Sequence, residues 1–288
     1  MMVARNETDA LTRSQATETR HVHRLQGNSI TAVPEPDALA VEIPLAIEIN
    51  GISHATLLVS PTQLEELVLG FLFTEGIVRG ADDLFDVAME TAPGGLIAHC
   101  RIAAECMHEV KRRRRHMAGR TGCGLCGVEN LEQVHRALPR VAGAPGSVGV
   151  AAILSALDAL RSHQTLHQAT GATHAAAWAT PDGTLHSLSE DVGRHNALDK
   201  LIGSLLMQKT DRTAGFCLVS SRASFEMVQK AAAAQFPALV AVSAATSMAV
   251  QLADDLGMLL TGFARDRQMT VYTHARLLRC DPDPNLST

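Results

Sequence analysis

Two hydrophobic rhythms alternate along the chain, and the places where one gives way to the other mark out its elements. Leu45-Ala-Ile-Glu-Ile49 and Ile52 to Val59 are β-type runs joined by Asn50-Gly51, the dipeptide that best accepts the positive φ angles of a tight hairpin. Ser60-Pro61-Thr62-Gln63 then offers a capping residue, a proline for the first helical position and a glutamine at the capping-box position. Leu64, Leu67, Val68, Phe71 and Leu72 follow as an apolar stripe, so a helix is predicted to start here and to end near Gly76. More β-like material lies around Leu96 to Ile102. These elements predict a small α+β amino-terminal domain over residues 36–122, preceded by a disordered tail over 1–35.

Gly143-Ala-Pro-Gly146 breaks the pattern, and residues 123–146 read as a loop and linker. From Ser147 a helical period takes over, with Val150, Ile153, Leu154, Leu157 and Leu160 in phase. Beyond His174 the periods alternate. Strands are predicted at 174–179, 184–188, 215–219, 238–242, 258–262 and 269–273, and helices at 195–209, 222–234 and 246–256. Such alternation predicts an α/β layer with a largely parallel sheet over residues 147–280.

Composition narrows the function classes. In 288 residues, 46% hydrophobic, there is material for a sizeable core, and no uncharged apolar stretch is long enough for a membrane span. Residues 1–33 have no apolar h-region, so a cytoplasmic location and no membrane association are expected. A net charge of −5 disfavours nucleic acid as a partner. Six cysteines without an export signal argue for reduced thiols. The local exception to the acidic balance is Lys111-Arg112-Arg113-Arg114-Arg115, followed by His116 and Arg120. It is a solvated charged face or a device that steers an anionic cofactor or partner.

The chemistry concentrates at Cys123 and Cys126 in Thr-Gly-Cys-Gly-Leu-Cys-Gly. Flanking glycines leave both sulfurs accessible, and nearby cations favour the thiolate that attacks or accepts sulfur. Half of a zinc site is the competing reading, with Cys100, Cys106, His99 and His116 as possible further ligands, and a redox dithiol is another. Three polar segments each follow a predicted strand and open a predicted helix: Glu190 to Asn196, Ser220-Ser221-Arg222, and Ser243 to Ser247. In an open sheet they gather at one edge and offer helix N–H groups to phosphate, although ordinary capping explains each one alone. Arg194, His195, Ser221 and Arg222 are the candidate ligand contacts there, and His174 and His195 the candidate acid–base groups. Gly262 to Gln268 joins two β-like runs and carries Arg265 and Arg267, whose guanidinium forks suit phosphate or a pterin edge.

Read together, Glu42-Ile-Pro-Leu45, Asn50-Gly51, Glu65-Glu66-Leu67, Gly70 to Gly76, the Cys123 and Cys126 motif, Glu190 to Lys200, Glu226 to Ala231, and Gly262 to Arg265 with Val271 to His274 resemble the formate dehydrogenase accessory sulfurtransferases, the FdhD family. The resemblance runs from about residue 40 to 279 and departs from the family pattern at Ser221, Phe225 and Gln268. It implies a carboxy-terminal domain similar to the cytidine-deaminase fold, and homodimers. It implies a sulfurtransferase in which Cys123, with Cys126 as partner thiol, takes a persulfide from a cysteine desulfurase. The sulfur passes to the molybdenum or tungsten bis-pterin guanine dinucleotide cofactor of formate dehydrogenase. The recipient's binding segment maps to Phe263, Ala264, Arg265, Asp266, Arg267 and Gln268, and a guanine nucleotide is expected to mimic it. Zinc deamination has no support, because His174 is followed by Ala175 and Ala176 and not by a His-x-Glu. Two other readings stand beside the sulfur carrier: a cofactor-binding chaperone that handles no sulfur, and a zinc-stabilised interaction module.

Overall fold

The computed structural model describes residues 16–110 and 138–280. Its amino-terminal part contains an antiparallel ribbon of β1 (Thr17–Val22) and β4 (Glu35–Ala40), which encloses the short hairpin of β2 (Leu25–Gln26) and β3 (Ser29–Ile30). The predicted tail therefore forms strands from Thr17 onward. Backbone pairing builds this ribbon and not burial, because most of its side chains stay exposed, and that gives it no hydrophobic signature.

A four-stranded sheet follows in the order β6-β5-β8-β7, from β5 (Ile43–Ile49), β6 (Ile52–Val59), β7 (Leu84–Ala92) and β8 (Gly95–Ile102). The predicted hairpin is present, with Asn50 at φ 47° and Gly51 at φ 78°. The Asn50 side chain also donates to the Ile102 carbonyl at 3.2 Å and accepts its N–H at 2.9 Å, tying the turn to β8. Helix α1 (Leu64–Thr74) starts later than expected. Its cap position is Gln63, in a left-handed conformation, and no side chain caps it. Ser60 does not cap the helix. It is fully buried, and it bonds through its backbone and its hydroxyl to residues more than a hundred positions away.

The second sheet has the order β11-β10-β12-β13-β14-β15. It comprises β10 (His174–Ala179), β11 (Leu185–Asp191), β12 (Phe216–Val219), β13 (Ala238–Ala241), β14 (Leu259–Arg265) and β15 (Gln268–Thr273). Helices α2 (Val150–His163), α3 (Thr165–Thr170), α4 (Arg194–Met207), α5 (Phe225–Ala233) and α6 (Ser247–Leu256) surround it. A short β9 (Val148–Gly149) pairs with β16 (Leu278–Arg279). The expected largely parallel sheet is mixed. β12, β13 and β14 are parallel neighbours, whereas β10 runs against both of its neighbours and β15 against β14. Tight turns cause this: Thr180 to Thr184 and Asp266-Arg267 return the chain too quickly for a crossover helix.

Strand alternation divides the core. Ala175, Ala177, Phe216, Leu218 and Val240 face α2, while Ala176, Trp178, Cys217, Val219 and Leu239 face α4, α5 and α6. The latter core continues without a break into Leu45, Ile47, Leu67 and Leu72 of the amino-terminal elements. Helix α1 lies directly on α4, and two glycines allow the approach: a Cβ on Gly70 would lie 1.8 Å from the Asp199 carbonyl oxygen, and one on Gly203 1.9 Å from that of Glu66.

Candidate functional site at the carboxyl edge

β11, β12, β13 and β14 all point the same way, so the segments that leave them meet at one edge of the sheet, as the sequence predicts. The second and third of these segments are joined. Ala223 and Ala245 form a parallel bridge, with the Ala223 N–H donating to the Ala244 carbonyl at 3.0 Å and the Thr246 N–H to the Ala223 carbonyl at 3.1 Å. The hairpin tip joins them through the Phe263 N–H, which donates to the Ser243 carbonyl at 3.0 Å.

The segment Glu190 to Lys200 divides its labour. Asp191 is fully buried and accepts the N–H of Ser60 at 2.9 Å, the N–H of Gly193 at 2.8 Å and the Asn196 amide at 3.0 Å. Lys200, also fully buried, lies 2.6 Å from Asp191 and donates to the Ser60 carbonyl at 3.0 Å and to the Thr62 hydroxyl at 3.2 Å. Burial pushes the Lys200 amine below its ordinary pKa, against the pull of Asp191. A second buried pair, Lys230 and Asp199 at 2.8 Å, shares the Thr74 hydroxyl at the end of α1. These groups bolt α1 to the edge and face the protein, not a ligand.

Arg194 and His195 instead open α4 at the edge. His195 Nε2 sits 2.7 Å from Glu226 Oε2 in the first turn of α5, and this contact holds the Glu226 carboxyl below its ordinary pKa. Nearby His174 is depressed, first by its burial and then by the charges of Arg194, His167 and His195. Ser221 is buried and donates to the Arg222 carbonyl at 3.1 Å, while the Arg222 side chain is exposed. Two buried polar atoms of this edge, Arg194 Nε and Ser224 Oγ, have no hydrogen-bond partner among the described residues. Cationic and hydroxyl donors with free capacity fit a phosphorylated ligand.

Gly262 to Gln268, expected as a connection between two strands, is a bulged hairpin in which β14 extends to Arg265 and Asp266-Arg267 form the tip. Phe263, Asp266 and Arg267 have φ of 51°, 52° and 58°. The bulge turns Phe263 outward and buries Ala264, leaving Arg265, Asp266, Arg267 and Gln268 exposed. Beside this tip, with Arg161 Nη2 3.9 Å from Asp266, opens a cavity of about 460 Å³. Leu160, Arg161, Gln164, His167, Ala172, Thr173, His174, Ser220 and Val242 contribute to its lining. Glu190 shapes its wall: the carboxylate accepts the N–H groups of Leu166 and His167, both at 2.8 Å, and the Thr173 hydroxyl at 3.1 Å.

Cys123, Cys126 and the Lys111 to Arg115 run lie outside the described residues. Among the described cysteines, burial pushes Cys100 up to about 12 and raises Cys217 further still, and it is the main cause of the upward shift of Cys106; Cys280 is exposed. The three buried thiols are thus poor nucleophiles. No group of three or more His, Cys, Asp or Glu side chains among the described residues is placed to hold a metal ion, and no helix there is long and apolar enough to cross a membrane.

The model of the FdhD/NarQ family matches residues 40–279. The chain belongs to this family. Within the family, it is 51% identical to a protein of Bordetella bronchiseptica over 253 residues, 88% of this chain and 91% of that one. It is 47% identical to one of Variovorax paradoxus over 85% of this chain and 88% of the other, and both relatives are named sulfur carrier protein FdhD. The fold is that of a protein from Desulfotalea psychrophila described as a formate dehydrogenase accessory protein, with a TM-score of 0.71 at 20% identity over 92% of this chain and the whole of the other. Of the motifs that carry the resemblance, Glu190 to Lys200 and Gly262 to Arg265 fall at the edge or in the buried pairs behind it, Glu226 to Ala231 supplies Lys230 of one such pair, and Asn50-Gly51 makes the β5–β6 turn, whereas Arg161, Gln164, His167 and Thr173 of the cavity are not singled out by the sequence. Their signal is weak: one pattern break at Gln164 between two helices and polar residues on a six-residue helix.

Proposed function

We propose that this protein carries sulfur to a phosphorylated pterin cofactor. The Cys123 thiolate attacks the outer sulfur of a desulfurase persulfide. A sulfur–sulfur bond forms at Cys123 while the one in the donor breaks, and the donor cysteine leaves as thiolate. The loaded sulfur is then passed to a molybdenum or tungsten bis-pterin guanine dinucleotide, the substrate of the transfer, which formate dehydrogenase afterwards holds. Cys126 is the partner thiol, and the protein works as a homodimer in the cytoplasm. Arg194, His195, Ser221, Arg222 and residues 263–268 bind the recipient's phosphates and sugar; a free guanine nucleotide competes for the same edge.

The observation that carries this reading is the edge itself: four strand exits, three arginine-bearing segments and, among the described residues, two buried donors there without a partner, next to a cavity that His174, Ser220 and Val242 of the edge help to line. The names of the relatives and the inertness of the buried thiols point the same way. The test is intact mass of the protein after incubation with a cysteine desulfurase and cysteine. A sulfur adduct that disappears in Cys123→Ala is expected. If no Cys123-dependent adduct forms, while Cys123→Ala still activates formate dehydrogenase, the carrier role is wrong and a cofactor chaperone takes its place.

A further inference from the structure

We infer that Glu226 is the resident anion of this edge: its carboxylate holds the place beside His195 that a phosphate group of the recipient takes over, so the recipient enters by exchange of anions. The inference rests on the phosphate-binding half of the proposed function and deepens it; the sulfur-carrying half does not enter.

Glu226 lies in the first turn of α5 and His195 in the first turn of α4, so the contact between them joins the chain that leaves β12 to the chain that leaves β11. The other carboxylates of these segments serve the fold. Glu190 accepts two backbone N–H groups and the Thr173 hydroxyl, and Asp191 faces Lys200 and accepts from Ser60, Gly193 and Asn196. Glu226 is half-exposed, and His195, 2.7 Å away, is its one ion-pair partner among the described residues. Even that contact is incomplete: His195 Nε2 is buried, and it is not aligned for a hydrogen bond to any described residue. Lys230, one turn along α5, is engaged instead by Asp199 and the Thr74 hydroxyl.

Two more donors of the same segments are left over. Arg194 Nε and Ser224 Oγ are buried without a partner among the described residues, and Ser224, at the cap position of α5, does not cap that helix. A carboxylate offers two oxygens to such a set of donors and a phosphate group three. The exchange therefore makes bonds that the carboxylate leaves unmade, which offsets the loss of the contact between Glu226 and His195. The released side chain, already half-exposed, turns to water. Glu226 is ionised when the recipient arrives: the contact with His195, and beyond it the charges of Arg194 and Lys230, hold its carboxyl below its ordinary pKa. Left in place it repels an incoming phosphate; displaced, it uncovers Arg194 and His195 together.

The test titrates inorganic pyrophosphate into the full chain by calorimetry at low ionic strength. Glu226→Gln keeps the shape of the side chain and removes its charge. It is expected to bind pyrophosphate at least about fivefold more tightly than wild type, which is what one like charge about 4 Å away costs even in bulk water. A merely structural role for Glu226 predicts the opposite sign, because loosening α5 against α4 weakens the site. The gain shrinks by more than half when His195→Gln is already present, since Glu226 then has no imidazole to hold and none to surrender. Equal or weaker binding by Glu226→Gln, or an undiminished gain without His195, overturns the inference. Should Glu226→Gln not fold, Glu226→Ala replaces it with the same expected sign. If neither wild type nor Glu226→Gln binds pyrophosphate, the phosphate-binding half of the proposed function falls and the inference with it; if both bind equally, the inference alone falls. None of these readings involves Cys123, so a missing sulfur adduct is a separate failure.

Discussion

Replacing Gly70 or Gly203 with alanine asks whether the two halves of the protein are held by contact or merely by connection. Ordinary contact for a Cβ is 3.4–4 Å, against the 1.8 and 1.9 Å that these substitutions impose on backbone oxygens. Backbone cannot rotate away as a side chain can, so α1 and α4 must separate by roughly 1.5 Å. Leu67, Leu198, Leu201 and Ile202 at this crossing are fully buried. A gap of even 0.5–1 Å forfeits about a quarter to a half of the dispersion well, so four side chains worth about 2 kcal/mol each lose on the order of 4 kcal/mol. Alanine returns about 1 kcal/mol through helix propensity. Each single variant is therefore expected to lose about 3 kcal/mol. The double variant loses markedly less than the sum, because one separation relieves both clashes. Urea unfolding followed by the fluorescence of the one tryptophan, buried Trp178, measures all three. Equal or increased stability of either single variant, or strict additivity in the double, refutes the contact.

Two further outcomes are accessible with the same protein. Lys200→Met strands Asp191, which keeps its contacts from Ser60, Gly193 and Asn196, so a loss at the low end of the range for a broken buried pair is expected, about 3 kcal/mol; unfolding midpoints of this variant and of Lys200→Met with Asp191→Asn, which restores part of it, check this. Among the described cysteines, iodoacetamide at pH 8 is expected to label Cys280 in the native protein and to reach Cys100, Cys106 and Cys217 only after denaturation, since reaction needs the thiolate and Cys100 has its thiol at about 12; mass spectrometry of the digested protein locates the labels.

How far the sequence can be read depends on whether a residue's role is set by its neighbours in the chain. Asn50-Gly51 makes its own turn, and β12 and β13 announce themselves as continuous apolar runs, so these are legible. The meeting of strand exits at one edge follows from their alternation with helices. Ser60 misleads because its sequence context is that of a helix cap, whereas its partners Asp191, Val192 and Lys200 are remote in sequence. The ribbon of β1 and β4 leaves no trace because cross-strand bonds need no hydrophobic pattern. The mixed sheet depends on how tightly two turns close, which periodicity does not encode.

The segment Glu190 to Lys200 shows why a recurring motif cannot be converted directly into a set of ligand contacts. Asp191, Asn196 and Lys200 point back into the protein and join β11 and α4 to the Ser60 turn, Glu190 braces α3, and Arg194 and His195 remain at the edge. On the proposed function, substitution at any of these positions is expected to lower binding of the recipient, but by different routes. A change at Lys200 lets the first turn of α4 drift, which moves Arg194 and His195 together and must lower stability along with affinity. A change at Arg194 removes a buried donor that has no protein partner among the described residues, so affinity falls while stability holds or rises. Stability and affinity measured on the same variants thus sort the motif into its two parts, and the sign of the stability change carries the assignment.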